Sequence, residues 1–157
     1  MGWNIKIGNA VPMSREKAIN DFDGEGWTCY KFGVEDAKHP DAPFWESHAA
    51  SGSFDVSGKT NERCPSYTSF GMFIGNTGLT GHVPAFSEGG SDGNCFVLRT
   101  EHRDAVRDAR VKWERAHPGA VPGWAPGLDS TLAKLIWYEW WMTWALDNCE
   151  RPAIEMG

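Results

Sequence analysis

The segment that most constrains the fold is LIWYEWWMTWALDNCERP, at positions 135–152. It predicts a helix that begins at Asp129 or Ser130 and runs to about Asn148, where Pro152 prevents its continuation. Both faces of this helix are apolar. One face is aliphatic, with Leu132, Leu135, Ile136 and Leu146, and the opposite face is rich in indole, with Trp137, Trp141 and Trp144. One apolar face suffices to dock a helix on a small domain. This helix is therefore either central and covered twice, or its Trp face lines a pocket or an interface.

Short strands are predicted mainly in the N-terminal half. Apolar and polar residues alternate at Trp3–Ile7, which indicates a half-buried strand that Gly8-Asn9 and Pro12 close, and Trp27–Phe32 is a second candidate. Cys95–Leu98 is typical of a brief buried segment. Residues 34–65 show little periodicity and many Gly, Pro, Ser, Asp and Asn, so they indicate loops.

Two further helices complete the predicted architecture. Ser66 caps the first, which Gly78 ends, and Thr100 caps the second, the amphipathic segment Glu101–Ala116. The pattern predicts an α+β fold: a small antiparallel sheet packed against about three helices, the C-terminal one Trp-rich and largely buried. A length of 157 residues is usual for one domain, so we expect residues 1–157 to form a single globular domain.

Charge and cysteine spacing exclude several classes of function. The net charge of −6 disfavours binding to duplex nucleic acid, which requires a basic surface. The four cysteines are far apart and form no CxxC pair, so we expect no metal site and no cofactor. No apolar run resembles a signal peptide or is long enough to cross a bilayer. We therefore expect a cytoplasmic protein without a membrane partner.

The catalytic motifs are incomplete. Gly58-Lys59-Thr60 lacks the first glycine of a P-loop, because Ser53 stands five positions earlier. The string DGNCF around Cys95 resembles the nucleophile segment of the ovarian-tumour-type cysteine deubiquitinases, a family that places its partner His far downstream. Here only His102 and His117 follow, on or just past the adjacent helix, so no catalytic residue is assigned. A small buried thiol is the alternative interpretation of Cys95.

Charged residues on two helices are candidates for ligand binding. Three arginines line up at i, i+4 and i+7 on the Glu101 helix: Arg103, Arg107 and Arg110. Such a row can grip phosphates or carboxylates bidentately, although a solvated face with local pairs such as Arg110–Glu114 is the alternative. Glu139 stands among aliphatic residues, where a carboxylate needs a partner. We expect that partner to come from the preceding helix or from the loop around Arg63.

A polar cluster stands where the Ser66-capped helix begins. Arg63, Ser66 and Tyr67 place a guanidinium, a hydroxyl and a phenol at this helix start. Helix N-termini favour anions, so the cluster is a candidate polar floor for an anionic ligand. The alternative is an ordinary capped helix beside a surface arginine.

Three segments resemble small uncharacterised proteins of high-GC bacteria and their phages: NERCPSY…F…TGL, CFVLRTEHRDAVRDARVKW and LAKLIWYEWWMTWALDNCERPAI. The similarity spans most of the chain from His39-Pro40-Asp41 onward. His-Pro-Gly precedes the cysteine in such proteins, whereas Asp92-Gly93-Asn94 precedes Cys95 here. No activity is attached to the group. The resemblance therefore implies a bacterial or phage origin and not a function.

The leading hypothesis is a non-catalytic binding protein for a small anionic, planar, nucleotide-like ligand, of the kind a phage could use to sequester a host signalling nucleotide. Indole faces stack on bases and guanidinium groups bind anions. The ligand-binding residues would be Arg63, Ser66, Tyr67, Arg103, Arg107, Arg110, Trp137, Glu139, Trp141 and Trp144. The alternative is a protein-interaction or structural module whose Trp face meets a partner or its own copy as a homo-oligomer. A cysteine-dependent hydrolase is the third hypothesis.

Overall fold

The computed structural model describes residues 4–12, 32–45, 59–63, 67–86 and 94–157, with the backbone alone for residues 67–69 and 94. The described elements follow one another as β1 (Ile5–Pro12), β2 (Phe32–Val34), β3 (Glu62–Arg63), α1 (Tyr67–Thr77), β4 (Asn94–Val97), α2 (Thr100–Ala116), α3 (Ser130–Asn148) and β5 (Pro152–Met156). The predicted α+β architecture, an antiparallel sheet with three helices, is confirmed.

The sheet is built around two strands from opposite ends of the chain. Its order is β2-β1-β5-β4, with β3 paired to β1, and every pairing is antiparallel. The sequence predicts no strand after Asn148, yet β5 lies between β1 and β4. Pro152 has no N–H to donate and occupies the first position of the strand, where proline is tolerated. Ile154 is opposite Ile7 on one side and Phe96 on the other.

β1 continues past Gly8 and Asn9, where the sequence predicted that it closes, and ends at Pro12, the further closing residue predicted. The amide of Asn61 crosses the strand here: its Nδ2 donates to the carbonyl oxygens of Ile7 and Glu35, both at 2.9 Å, and its Oδ1 accepts from Ala37 N. A Cβ on Gly8 would lie 3.0 Å from that Nδ2, so glycine allows the close approach. The predicted strand Trp27–Phe32 lies outside the described residues except for its last residue, where β2 begins.

α3 is the central helix, as its sequence predicts. Nine of its residues are buried: Leu132, Ala133, Lys134, Leu135, Trp137, Tyr138, Trp141, Met142 and Ala145. Asp129 caps it by accepting a hydrogen bond from the backbone N–H of Leu132 at 2.9 Å, and its other carboxylate oxygen accepts from Trp113 Nε1 at 2.7 Å. One side chain therefore starts α3 and ties it to the end of α2.

The other two helices also end close to their predicted bounds. α1 buries Phe70, Phe73 and Ile74, which share one helical face, and ends before Gly78, whose φ of +69° suits glycine. α2 is capped at Arg99 and not at Thr100. The ring of His102 is buried beneath this cap, and its Nδ1 accepts the Arg99 backbone N–H at 3.0 Å.

We expect Ile154→Ala to lower the free energy of unfolding by about 2–5 kcal/mol, because it leaves a cavity between two neighbouring strands. Ile154→Val, which removes one methylene, should cost about 0.5–1.5 kcal/mol. Urea denaturation followed by circular dichroism measures both changes. Equal and negligible losses in the two variants would contradict the central position of β5.

The buried imidazole of His102 is expected to make the stability of the fold depend on pH. Burial lowers the pKa of its imidazole, with Glu101 opposing and Arg99 adding to the effect. The unfolded chain therefore binds a proton more readily than the folded one, and stability is lost as pH falls below about 6.5. His102→Asn keeps an acceptor near Nδ1 but cannot titrate in this range. We expect wild-type stability to fall more steeply between pH 7 and pH 5, by at most about 1.4 kcal/mol per pH unit. The exposed-site variant His82→Asn is the control; parallel slopes for wild type and His102→Asn would refute the prediction.

Candidate functional site

A groove runs along the surface where α2 and α3 pack against each other. The two helices are antiparallel, since Arg103 contacts Thr143, Arg107 contacts Glu139 and Trp113 contacts Asp129. The groove has a volume of about 580 Å³, within the usual range of ligand sites. Its lining residues combine charged and aromatic side chains: Arg107, Arg110, Glu114, Ile136, Glu139, Trp140, Thr143, Trp144, Asp147 and Asn148.

Helical periodicity explains why these residues share one groove. On α2, Arg107, Arg110 and Glu114 follow at i, i+3 and i+7, a single stripe. On α3, the lining residues recur at three- and four-residue steps: Ile136, Trp140, Thr143 and Asp147. Each helix thus contributes one face, and the helix pair holds the two faces beside each other.

Glu139 is bound by two arginines of the preceding helix, one of the two sources predicted from the sequence. Arg107 Nε donates to Glu139 Oε1 at 2.9 Å. Arg110 donates its Nε to Oε2 and its Nη2 to Oε1, the latter at 3.3 Å. The Glu139 side chain is 14% exposed, so this carboxylate is largely removed from water and held by charge-assisted hydrogen bonds.

The electrostatics of the network keep Glu139 ionised. Burial alone would raise the pKa of its carboxyl, but the hydrogen bonds and charges of Arg110 and Arg107 outweigh burial and place the pKa below the ordinary value. The hydrogen bond to Glu139 in turn raises the pKa of Arg110. A carboxylate with a lowered pKa and three donors is a weak general base. Its arrangement suits it to orient the arginines and not to move a proton.

The two arginines have different amounts of unused hydrogen-bonding capacity. Arg110 uses Nε and Nη2 on Glu139 and Nη1 on Glu114, at 3.0 Å in the last case, and its side chain is 24% exposed. The predicted local pair Arg110–Glu114 is thus confirmed. Arg107 is 44% exposed and uses only Nε. Its two Nη groups donate to no acceptor within the described ranges, so the outer edge of this guanidinium is available to a ligand.

Two half-buried indoles form the aromatic part of the groove. Trp140 and Trp144 both pack against the buried ring of Trp141, with centroids 4.9 and 5.3 Å away and interplanar angles near a right angle, 79° and 78°. Trp140 also contacts the His39 ring at 5.1 Å. Edge-to-face contacts of this kind fix the orientation of the rings. Both indoles remain partly exposed on the groove.

The predicted site residues of α2 and α3 lie in three places: the groove, its margin and the core. Arg107, Arg110, Glu139 and Trp144 meet in the groove. Arg103 lies at its margin, where it donates to Thr143 Oγ1 at 3.3 Å and pairs with Asp104. Trp137 and Trp141 instead belong to the core, 3% and 0% exposed, so neither ring presents a face to a ligand or a partner in this structure. Their burial follows from the central position of α3.

Arg63, the described member of the predicted polar floor, does not line the groove. Arg63 is fully buried in β3, with its guanidinium carbon 5.0 Å from the ring centroid of Trp124 and 5.9 Å from that of Tyr138. It is a core residue and not the surface arginine of the alternative interpretation. Ser66 and the side chain of Tyr67 lie outside the described residues.

Trp140, Thr143 and Asp147 belong to the groove but were not predicted as site residues. The signal for them was present, because Trp140 is four positions after Ile136 and three before Thr143 on one helical stripe. Sequence alone could not decide which of the many indoles of α3 face the core. That choice depends on where the sheet packs against the helix.

Other candidate sites carry less chemistry. Cys95 is fully buried in β4, so its thiol does not meet a substrate from solvent. A second hollow of about 360 Å³ is lined by Asp36, Lys38, Asn61 and Glu62 among others, with no aromatic side chain among its described lining residues. In the part of the chain that the structure describes, no three His, Cys, Asp or Glu residues cluster as metal ligands, and no helix is long and apolar enough to cross a membrane.

Comparison of the chain with models of known protein families, with curated proteins and with solved structures finds no match. The chemistry of the groove therefore carries the functional argument.

We expect Glu139→Gln to lower the free energy of unfolding at pH 7 by about 1–3 kcal/mol, because it leaves two neighbouring guanidinium groups without their carboxylate. The lowered pKa sets the sign of the pH dependence: the Glu139 contribution is present above its ordinary pKa of 4.5 and is lost as pH falls through the lower folded-state value. The difference between wild type and variant should therefore shrink at pH 3. Urea denaturation at both pH values measures it.

Glu150→Gln is the matched control, because the same change at an exposed position should alter stability by no more than about 0.5 kcal/mol. A Glu139→Gln variant as stable as this control at pH 7 would contradict the structural role of the ion pairs.

Proposed function

We propose that this protein is a non-catalytic binding protein that holds a small planar, anionic, nucleotide-like ligand in the groove between α2 and α3. The observation that carries the proposal is the outer edge of Arg107, which donates to no acceptor in the described part of the chain and lines the same groove as two half-buried indoles. A guanidinium edge binds a phosphate or carboxylate through two parallel hydrogen bonds. An aromatic base stacks on an indole at the same site.

The preorganisation of the groove favours binding. Glu139 and Arg110 fix one another, and Glu139 fixes Arg107 through its Nε, so the guanidinium is oriented before a ligand arrives. Trp140 and Trp144 are oriented by contacts with Trp141 in the core. Rigid groups lose less entropy on binding than mobile ones.

The same groove offers little support for catalysis. Its largely buried carboxylate already accepts three hydrogen bonds, and no histidine or cysteine is among its described lining residues. A nucleophile needs a general base within hydrogen-bond reach, and the described lining residues contain no Ser–His or Cys–His pair. Binding without turnover is what a sequestering protein requires, and we extend the proposal to that role.

Isothermal titration calorimetry with cyclic and linear nucleotides tests the proposal. We expect at least one nucleotide to bind the wild-type protein, and Arg107→Gln to weaken that binding by about tenfold or more, because a charged hydrogen-bonding group is lost. Arg115→Gln removes the same charge from the exposed last turn of α2 and should bind like wild type. An absence of heat across the whole panel would refute the function.

A further inference from the structure

We infer that Asp147 lowers the affinity of the groove for a doubly charged ligand, such as a terminal phosphate, more than its affinity for a singly charged one, such as a phosphodiester. The inference rests on the proposed function and specifies its ligand class. It follows from the charges that line the groove.

Four of the five charged lining residues neutralise one another. Arg107 and Arg110 share Glu139, and Arg110 also pairs with Glu114. Two positive and two negative charges thus form one connected network with a formal sum of zero. Its capacity for an anion comes from the geometry of the Arg107 edge and not from an excess of positive charge.

Asp147 is the fifth charge and lies outside this network. It lines the groove from the last turn of α3 and is exposed. It forms no ion pair with a basic residue in the described part of the chain. The lining residues therefore carry one formal negative charge overall, and it belongs to Asp147.

The neighbouring arginine row does not reverse this balance. Arg103, at the margin of the groove, pairs with Asp104 through Nε at 2.9 Å. A ligand in the groove meets one well-oriented guanidinium edge and one opposing carboxylate. Asp147 is eight residues, about 12 Å along the helix axis, from the Glu139 that holds Arg107. Two unit charges at about 12 Å in water repel by roughly 0.35 kcal/mol, and a second ligand charge doubles this repulsion.

Three ligands with the same base and sugar separate charge from stacking. Adenosine is neutral, cyclic AMP carries one negative charge, and AMP carries nearly two above its second pKa of about 6. A guanosine series run in parallel covers the other purine. Titration calorimetry at pH 7.5 in low salt with the full-length protein gives the affinities. The variants are then measured with the purine series, adenosine or guanosine, whose cyclic nucleotide binds wild type more tightly.

Asp147→Asn removes the unpaired charge and keeps the shape of the side chain. We expect the variant to bind the cyclic nucleotide about twofold more tightly and the linear monophosphate about fourfold more tightly, with the nucleoside unchanged. The fold-increase in affinity for the linear monophosphate should be near the square of that for the cyclic nucleotide, because the repulsion energy scales with ligand charge. Both gains should shrink in 0.5 M salt.

Asp108→Asn makes the same change at an exposed position of α2 that does not line this groove, and should leave all three affinities unchanged. A linear monophosphate whose affinity rises in Asp147→Asn by no more than that of the cyclic nucleotide would overturn the role of Asp147 and leave the binding function standing. An absence of binding in both nucleotide series would overturn the function and this inference together.

Discussion

The cost of burying one carboxylate sets the relation between α2 and α3. Glu139 occupies the central helix, where a charge without a partner would be strongly destabilising. Arg107 and Arg110 remove that cost only if their face of α2 points at α3. This requirement fixes the rotation of α2 about its axis. The groove is a consequence, since the side chains that flank the ion pairs on both helices are brought to the same surface.

The division of labour among the tryptophans follows from the position of α3. A helix packed against a sheet on one side and a second helix on another has few exposed positions left. Trp141 fills the core, and its ring supports Trp140 and Trp144 on the groove. The abundance of indole thus has two physical explanations at once. The inner rings stabilise the fold, and the outer rings are held rigidly at a surface where a planar ligand can meet them.

Much of the architecture was predictable because periodicity and capping residues are local signals. The bounds of α1 and α3 follow from residues within a few helical turns, and α2 was one of the two predicted sources of a partner for Glu139. β5 was missed because five residues after Pro152 are too few to show a period. Burial of Arg63 was missed for another reason: only tertiary packing places Trp124 and Tyr138 beside its guanidinium.

The kinds of side chain in the candidate site, arginine, carboxylate and indole, were predictable from the sequence. Which particular residues line the groove was not. The spacing of the arginines placed them on one face of α2, and that helix was one of the two predicted sources of a partner for Glu139. The choice between Trp140 and Trp137 as the exposed indole depended on the direction from which the sheet approaches α3. Composition and spacing contain no information about that direction. Residues of the groove that carry no unusual chemistry, such as Thr143, are visible only after the helices are paired.

The position of β5 has a consequence for the order of folding. Arg151 N donates to Asn9 Oδ1 across a separation of 142 residues, so the two inner strands meet only after the chain has closed its longest loop. Contacts between α2 and α3 span a short stretch of chain and require no such closure. Topology of this kind slows the final step of folding, because the chain loses the entropy of loop closure before the stabilising strand contacts form. We therefore expect the helix pair to be an early unit that acquires its sheet late.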